Sequence, residues 1–257
     1  MRNVLAIAHK ELRSYFASPI AYIVIGLFVL LYGYFYIVTL QYFVRQSMQM
    51  SQFGAGGPQP VNINETMLRL LFQNVTILLL FLLPAITMRT YAEEKRQGTI
   101  ELLLTSPLTD LEIILGKFFG AMALYSVMLG VTLVHIAVLF VYGNPEWKPI
   151  ATAYLGLLLL GGSFISLGLL ISSLTKNQIV ASVTTFAVFL FLWIVDWIGN
   201  FSSPTVTAVT SYLSIIAHFD DFSKGVIDTT HLIYYLSFIT FGLFLTAKSV
   251  DSERWRG

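Results

Sequence analysis

The ionisable side chains with the most informative spacing lie between residues 91 and 117, in the stretch YAEEKRQGTIELLLTSPLTDLEIILGK. Glu93 and Glu94 precede two basic residues, and a further acid, Glu101, stands among leucines. This density of charge is incompatible with a membrane span, because each charge at the bilayer centre costs about 2.5 to 3.5 kcal/mol. The mixture of charged and apolar side chains instead predicts a surface on which another protein docks.

Sequence patterns that carry catalysis are absent. The chain contains no G-x-x-x-x-G-K-[ST], G-x-S-x-G or H-E-x-x-H pattern, and it has no cysteine. We therefore expect that it hydrolyses no nucleotide by itself, binds no cofactor and forms no disulfide or cysteine metal site. The formal net charge of +1 gives no electrostatic footprint for nucleic acid.

The remaining titratable candidates are isolated from one another. His9, His135, His218 and His231 are scattered along the chain, which disfavours a metal site. His135 and Asp196 fall inside apolar runs, where ionisable groups are costly and often functional. One interpretation is that His135 is a neutral imidazole bonded to a neighbouring helix and that Asp196 is a solvated carboxylate near a helix end. The alternative is a proton relay.

Helix signals define the elements that carry the predicted docking surface. The charged residues before Gly98 are predicted to continue the preceding membrane helix, and Gly98 ends it, since glycine readily adopts the left-handed conformation. Residues 99–105 then form a helix of about two turns, which Pro107 stops. Thr109 and Glu112 have the spacing of a capping box, so the next membrane helix begins there.

The composition predicts that the rest of the chain is embedded in a membrane. Of the 257 residues, 56% are hydrophobic and only 11% are charged, and the mean hydropathy is +0.75. Soluble domains have about a quarter of their residues charged. Since about 20 apolar residues cross a bilayer, we predict an all-α polytopic membrane protein whose six spans are 20–43, 67–89, 112–141, 151–174, 179–199 and 231–248.

Two amphipathic segments flank these spans. Residues 3–17 are predicted to form an interfacial helix, which either serves as an anchor alone or also contacts a partner through Lys10, Glu11 and Arg13. Residues 206–228 are predicted to form two short helices on the outer side. These helices either re-enter the membrane or lie flat on its surface.

The distribution of lysine and arginine predicts the orientation. Basic residues accumulate in the short loops on the cytoplasmic side. The face that holds both termini carries Arg2, Lys10, Arg13, Arg89, Lys95, Arg96, Lys117, Lys176, Lys248, Arg254 and Arg256, whereas the opposite face carries Arg45, Arg69, Lys148 and Lys224. Both termini and the docking surface are therefore expected in the cytoplasm.

The stretch from Glu93 to Leu108 resembles the coupling segment of ABC-2 type exporter permeases, with the pattern E-E-K-R-x-G-T-x-E-L-L-L-x-x-P-L. Further stretches are similar to the permease subunit of the gliding-motility-associated subfamily: His9–Leu12, Ser18–Tyr22, Leu83–Arg89, Gly116–Phe118, Asn177–Val180 and Gly225–Thr229.

The resemblance implies one transmembrane domain over residues 1–257, with the 99–105 helix as the coupling helix. Such a domain forms the translocation path of an ATP-driven exporter as a dimer in the bacterial cytoplasmic (inner) membrane. It works with two copies of a separate ATPase subunit, which binds ATP and Mg, and with a membrane-anchored auxiliary protein that has a large outer domain. No nucleic-acid partner is implied.

The ATPase contact is then expected at Glu93, Glu94, Gly98, Thr99, Glu101, Leu102, Leu103, Ser106 and Pro107, with Lys10, Glu11 and Arg13 on the interfacial helix. Two other classes of function stay open. A membrane scaffold could transmit force from an ATPase to an outer partner without moving a solute. An ion-coupled secondary transporter would need intramembrane acids or inverted repeats, and the sequence shows neither an acid pair nor such a repeat.

Overall fold

A computed structural model describes residues 2–51, 61–105, 107–199 and 203–254. Over these residues the regular secondary structure is entirely helical, and six helices are long and apolar enough to cross a membrane. The predicted all-α polytopic fold with six candidate spans is therefore confirmed.

The helices follow one another in a simple order. A π-helical turn, Asn64–Leu68, leads directly into the third helix. The helices are α1 (Arg2–Ala17), α2 (Pro19–Ser51), α3 (Arg69–Thr87), α4 (Ala92–Gln97), α5 (Thr99–Leu104), α6 (Asp110–Tyr142), α7 (Trp147–Leu174), α8 (Gln178–Gly199), α9 (Pro204–Leu213), α10 (Ala217–Ser223) and α11 (Thr229–Arg254).

Helices α3 and α7 form the centre of the bundle. The most apolar stretches of these two spans are 67% and 72% buried, whereas those of α8 and α11 are only 22% and 17% buried. Small residues on α7 allow this close packing, because a Cβ atom at Gly161 would overlap the ring of Tyr125 and one at Gly168 would overlap Thr87. These glycines therefore serve packing within the chain.

One expectation about the docking segment is wrong. The charged residues before Gly98 do not continue the preceding membrane helix, because α3 ends at Thr87 and a turn separates it from α4. The reason lies in α7, where the Ser172 hydroxyl accepts the N–H groups of Tyr91 and Ala92 at 3.1 Å each and donates to the Met88 carbonyl at 3.0 Å. This side chain replaces the helical partners that the turn removes.

The two ends of the bundle carry different elements. At one end, here called the terminal face, lie α1, α4, α5 and the last turns of α11, as shown by contacts of α1 with α6 and by an ion pair between α4 and α11. The opposite face carries α9 and α10, which occupy the region where two short outer helices were predicted.

Candidate functional site

Helices α4 and α5 form a compact corner on the terminal face. Gly98 adopts a φ of +73°, and its N–H group donates to the carbonyl of Glu94. After α5, the Thr109 hydroxyl accepts the Glu112 N–H at 3.3 Å, and the Glu112 carboxylate accepts the Thr109 N–H at 3.1 Å. This confirms the predicted capping box. Both ends of the corner are therefore defined by local hydrogen bonds.

A buried lysine fastens this corner to the rest of the molecule. The side chain of Lys117, on α6, is only 1% exposed, and its Nζ atom donates to Glu94 Oε1 at 2.8 Å, Glu11 Oε1 at 3.1 Å and the Thr90 carbonyl at 3.0 Å. An ammonium group has three donors, and all three are used. Lys10 lies 3.4 Å from Glu11 and 3.6 Å from Glu94 and is 63% exposed. We call Lys10, Glu11, Glu94 and Lys117 the Lys117 network.

Two glycines on α6 allow Glu11 to reach Lys117. A Cβ atom at Gly116 would lie 2.5 Å from Ile7, and one at Gly120 would lie 2.7 Å from the Cβ atom of Glu11. Real Cβ atoms do not approach so closely, so α1 can cross α6 at this distance only where side chains are missing. The Gly116-x-x-x-Gly120 spacing thus serves packing of α1 within the chain.

A second set of bonds joins α1 and α2 to the end of α3. Arg89 binds both carboxylate oxygens of Glu93, at 2.9 and 3.3 Å, and also donates to the Ser18 hydroxyl at 3.1 Å. The Tyr15 hydroxyl donates to the Ile86 carbonyl at 3.2 Å, and burial raises the pKa of Tyr15, so this phenol keeps its proton. These bonds fix the start of the chain against the α3–α4 turn.

A third bond reaches the other end of the chain. Lys95, whose side chain is 4% exposed, lies 2.8 Å from Glu253 on α11. Nearby, the Ser173 hydroxyl on α7 donates to Ser249 on α11 at 2.8 Å. The corner is therefore tied to α1, α6, α7 and α11 by polar contacts that are mostly shielded from water.

The structure brings the two predicted groups of site residues together. A cleft of about 600 Å³ lies between α1 and the α4–α5 corner. It is lined by Lys10, Glu11, Ser14, Tyr15, Ser18, Ile20, Arg89, Thr90, Glu93, Glu94, Gln97, Thr99, Leu102 and Leu108. Residues from the predicted interfacial helix and from the predicted coupling segment therefore share one surface.

The other predicted site residues are exposed or lie outside the part of the chain that the structure describes. The Leu102 side chain is 73% exposed. Arg13, Gly98, Thr99, Glu101 and Pro107 are also exposed. Leu103 belongs to α5, although its side chain is not among those described, and Ser106 lies outside the described residues. By contrast Glu11, Glu93 and Glu94 have partners within the chain.

Sequence reasoning missed Lys117 as a member of the site. One signal was present, because a lysine seven residues into an apolar helix is costly unless it is paired. Its partners could not be found in the same way, since Glu11 lies 106 residues away in the sequence. Ser172 gave no signal at all, because serines are common at contacts between membrane helices.

Comparison with known proteins identifies the family of this chain. Residues 5–247 match the profile described as "ABC-2 family transporter protein". The protein named "Probable multidrug ABC transporter permease YbhR", from Escherichia coli strain K12 and from Escherichia coli O157:H7, is 30% identical over 146 residues. That match covers 55% of this chain and 38% of the relative, so it spans less than half the length of these relatives. Because the family match extends over nearly all of the sequence, this chain belongs to the ABC-2 family of transporter proteins.

Proposed function

We propose that this chain is the transmembrane permease subunit of an ATP-driven exporter and that the α4–α5 corner docks on a separate ATPase subunit. The observation that carries the proposal is the exposure of Leu102 and Glu101 on a short helix whose base is held by buried ion pairs. Exposed leucine next to an acid, with a cleft beside it, favours a protein partner that is apolar and basic.

The network divides the predicted site into two roles. Glu101, Leu102 and Pro107 are free to contact the ATPase, and Lys10, Thr99 and the cleft extend the same surface. Glu11 and Glu94 hold Lys117, so their main task is to position α1 and α4. When ATP closes the ATPase pair, the corner would move as one body with α6.

The assembly follows from the same proposal. The concentration of lysine and arginine on the terminal face supports cytoplasmic termini in a bacterial inner membrane. Two permease copies and two ATPase subunits form the complex, and a membrane-anchored auxiliary protein completes it, as the gliding-motility-associated resemblance implies. Since the Escherichia coli relative is named a probable multidrug permease, and the spans are rich in aromatic residues, we propose an amphipathic cargo.

A matched pair of charge reversals tests the docking role. Glu101→Lys, on the terminal face, should abolish co-purification of a P-loop ATPase with the chain from its native membrane. Glu146→Lys, on the opposite face, changes another exposed acid and should leave co-purification intact. Recovery of the ATPase with both variants would refute the docking surface, and loss with both would show a general folding defect.

A second measurement separates an exporter from a membrane scaffold. ATP hydrolysis by the purified complex should rise when amphipathic compounds are added, because a translocated cargo is coupled to the ATPase cycle. A scaffold should respond to its outer partner protein and to none of these compounds. If hydrolysis responds only to the outer partner protein, and the ATPase still binds through Glu101, the chain is a scaffold and the exporter proposal is refuted.

A further inference from the structure

Three elements of the opposite face meet at a pair of histidines that the proposed function does not use. His218, on α10, is 4% exposed, and its Nδ1 atom lies 2.6 Å from Nδ1 of His231, on α11. The Nε2 atom of His218 lies 3.0 Å from the Tyr212 carbonyl of α9. The Nε2 atom of His231 lies 2.9 Å from Asp221 Oδ2 on α10. These contacts form one continuous series of hydrogen bonds from Tyr212 to Asp221.

The hydrogen-bonding groups at the two ends of this series fix the outer protons of the pair. The Tyr212 carbonyl can only accept, so His218 Nε2 carries a proton, and His231 Nε2 donates to the Asp221 carboxylate. One further proton completes the contact between the two Nδ1 atoms, and either ring can carry it. His218 is the more buried ring and His231 lies beside the carboxylate, so we place this proton, and with it the positive charge of the pair, on His231.

The surroundings favour this distribution of charge. Burial lowers the pKa of His218, and the hydrogen bond from His231 lowers the pKa of Asp221. Tyr234 stacks on the His218 ring with the centroids 3.8 Å apart. The other titratable groups around the pair are Tyr212, Tyr235, Asp220, Lys224 and Asp228. Lys224 lies 2.6 Å from Asp220 and 3.3 Å from Asp221.

We propose that His218, His231 and Asp221 form a proton-binding site that latches α10, and α9 with it, onto α11 with one proton and loosens this latch with a second. A second proton, taken from solvent by His218 Nδ1, would place an N–H group and a positive charge on both rings. The two N–H groups would then face each other across the His218–His231 contact and repel. That bond, which joins α10 to α11, is lost, whereas His218 Nε2 still donates to the Tyr212 carbonyl and keeps α9 attached to α10. Acidification of the opposite face therefore loosens α9 and α10 from α11.

Neutral bonds limit the size of the response. The Tyr234 hydroxyl donates to the Leu213 carbonyl at 3.1 Å, and the Tyr235 hydroxyl donates to the Ile215 carbonyl at 2.7 Å. Neither bond depends on the protonation of a histidine. The expected effect is a local loosening of α9 and α10 against α11, with all three helices still folded.

The charge on His231 is tested directly by NMR of the full chain in lipid nanodiscs, with ¹⁵N-labelled histidine. At pH 7.5 we expect His231 to show two protonated ring nitrogens and His218 to show a proton on Nε2 alone, with assignment by single His→Gln variants. Asp221→Asn should remove the second proton from His231, whereas Asp228→Asn should not. A neutral His231 at this pH, or a charged one in Asp221→Asn, would overturn the proposal.

The latch is tested by a spin label at Ser211, a partly exposed residue of α9. The sequence has no cysteine, so Ser211→Cys gives a single labelling site. Label mobility should rise as the pH falls from 7.5 to 5, and His218→Gln, which keeps a neutral donor and acceptor, should lose this rise. A constant mobility in the parent chain, or the same rise in His218→Gln, would refute the latch.

Discussion

Replacement of Lys117 by methionine should release α1 from the bundle. The change removes the three hydrogen bonds of Nζ and leaves two carboxylates, on Glu11 and Glu94, whose side chains are only 11% and 18% exposed. Breaking a buried ion pair by removing one partner costs about 3 to 5 kcal/mol. Lys10 lies near both carboxylates and offsets part of this, so we expect about 3 kcal/mol, the lower end of that range.

Hydrogen exchange of α1 amides in nanodiscs measures this loss. An opening free energy lowered by about 3 kcal/mol corresponds to exchange that is about a hundredfold faster, since each 1.4 kcal/mol is a factor of ten. Lys10→Met is the matched control, because it removes the same charge from the same network at a side chain that is 63% exposed. Exposed ion pairs contribute about 0 to 1 kcal/mol, so α1 should change less than tenfold.

A double variant separates charge from packing. Glu11→Gln in the Lys117→Met background removes one of the two carboxylates that have lost Lys117 and should recover part of the lost protection. If Lys117→Met accelerates exchange no more than Lys10→Met, the network does not hold α1. If the double variant exchanges as fast as Lys117→Met, the loss comes from packing and the electrostatic account is refuted.

Three further changes test other contacts. Ser172→Ala should cost about 2 kcal/mol, because the buried N–H groups of Tyr91 and Ala92 lose their acceptor, whereas Ser126→Ala, an exposed serine bonded to its own helix, should change thermal stability little. Gly120→Val should push α1 away from α6 at a cost of about 1 to 3 kcal/mol, seen as protease cleavage of α1, while Gly130→Val, which meets open space, should resist cleavage. The hydrogen bond from His231 lowers the pKa of Asp221 below its ordinary value of 3.8. The ionised Asp221 therefore contributes its full stabilisation above pH 3.8, and this stabilisation is lost as the pH falls through the lower pKa of the folded state. Thermal unfolding of Asp221→Asn should therefore depend less steeply on acid pH than that of the parent chain.

Sequence reasoning succeeded where the signal is local. Gly98 and the Thr109–Glu112 capping box mark helix ends within four residues of the bonds they form, so their outcome follows from residue type and spacing. The six candidate spans follow from apolar runs, because the bilayer forces every backbone group in such a run into helical hydrogen bonds.

The same reasoning failed where the determining partner is distant in sequence. The turn between α3 and α4 depends on Ser172, which lies about 80 residues further along, and the apolar pattern gives no sign of it. The partners of Lys117 come from α1 and α4, and their choice depends on how closely Gly116 and Gly120 let α1 approach. Tertiary packing decides these contacts.

The α3–α4 turn also determines how force applied at α5 would spread. An interruption in the helical hydrogen bonds is where a lever would bend, and bending there would absorb a push on the corner before it reached the bundle. Ser172 closes this interruption from α7, Lys117 ties the corner to α6, and Lys95 ties it to α11. These three contacts join α4 to three different helices, so a displacement of α4 relative to any one of them breaks a buried polar contact. Because breaking a buried ion pair costs about 3 to 5 kcal/mol, a push on α5 would move α1, α4, α6, α7 and α11 together.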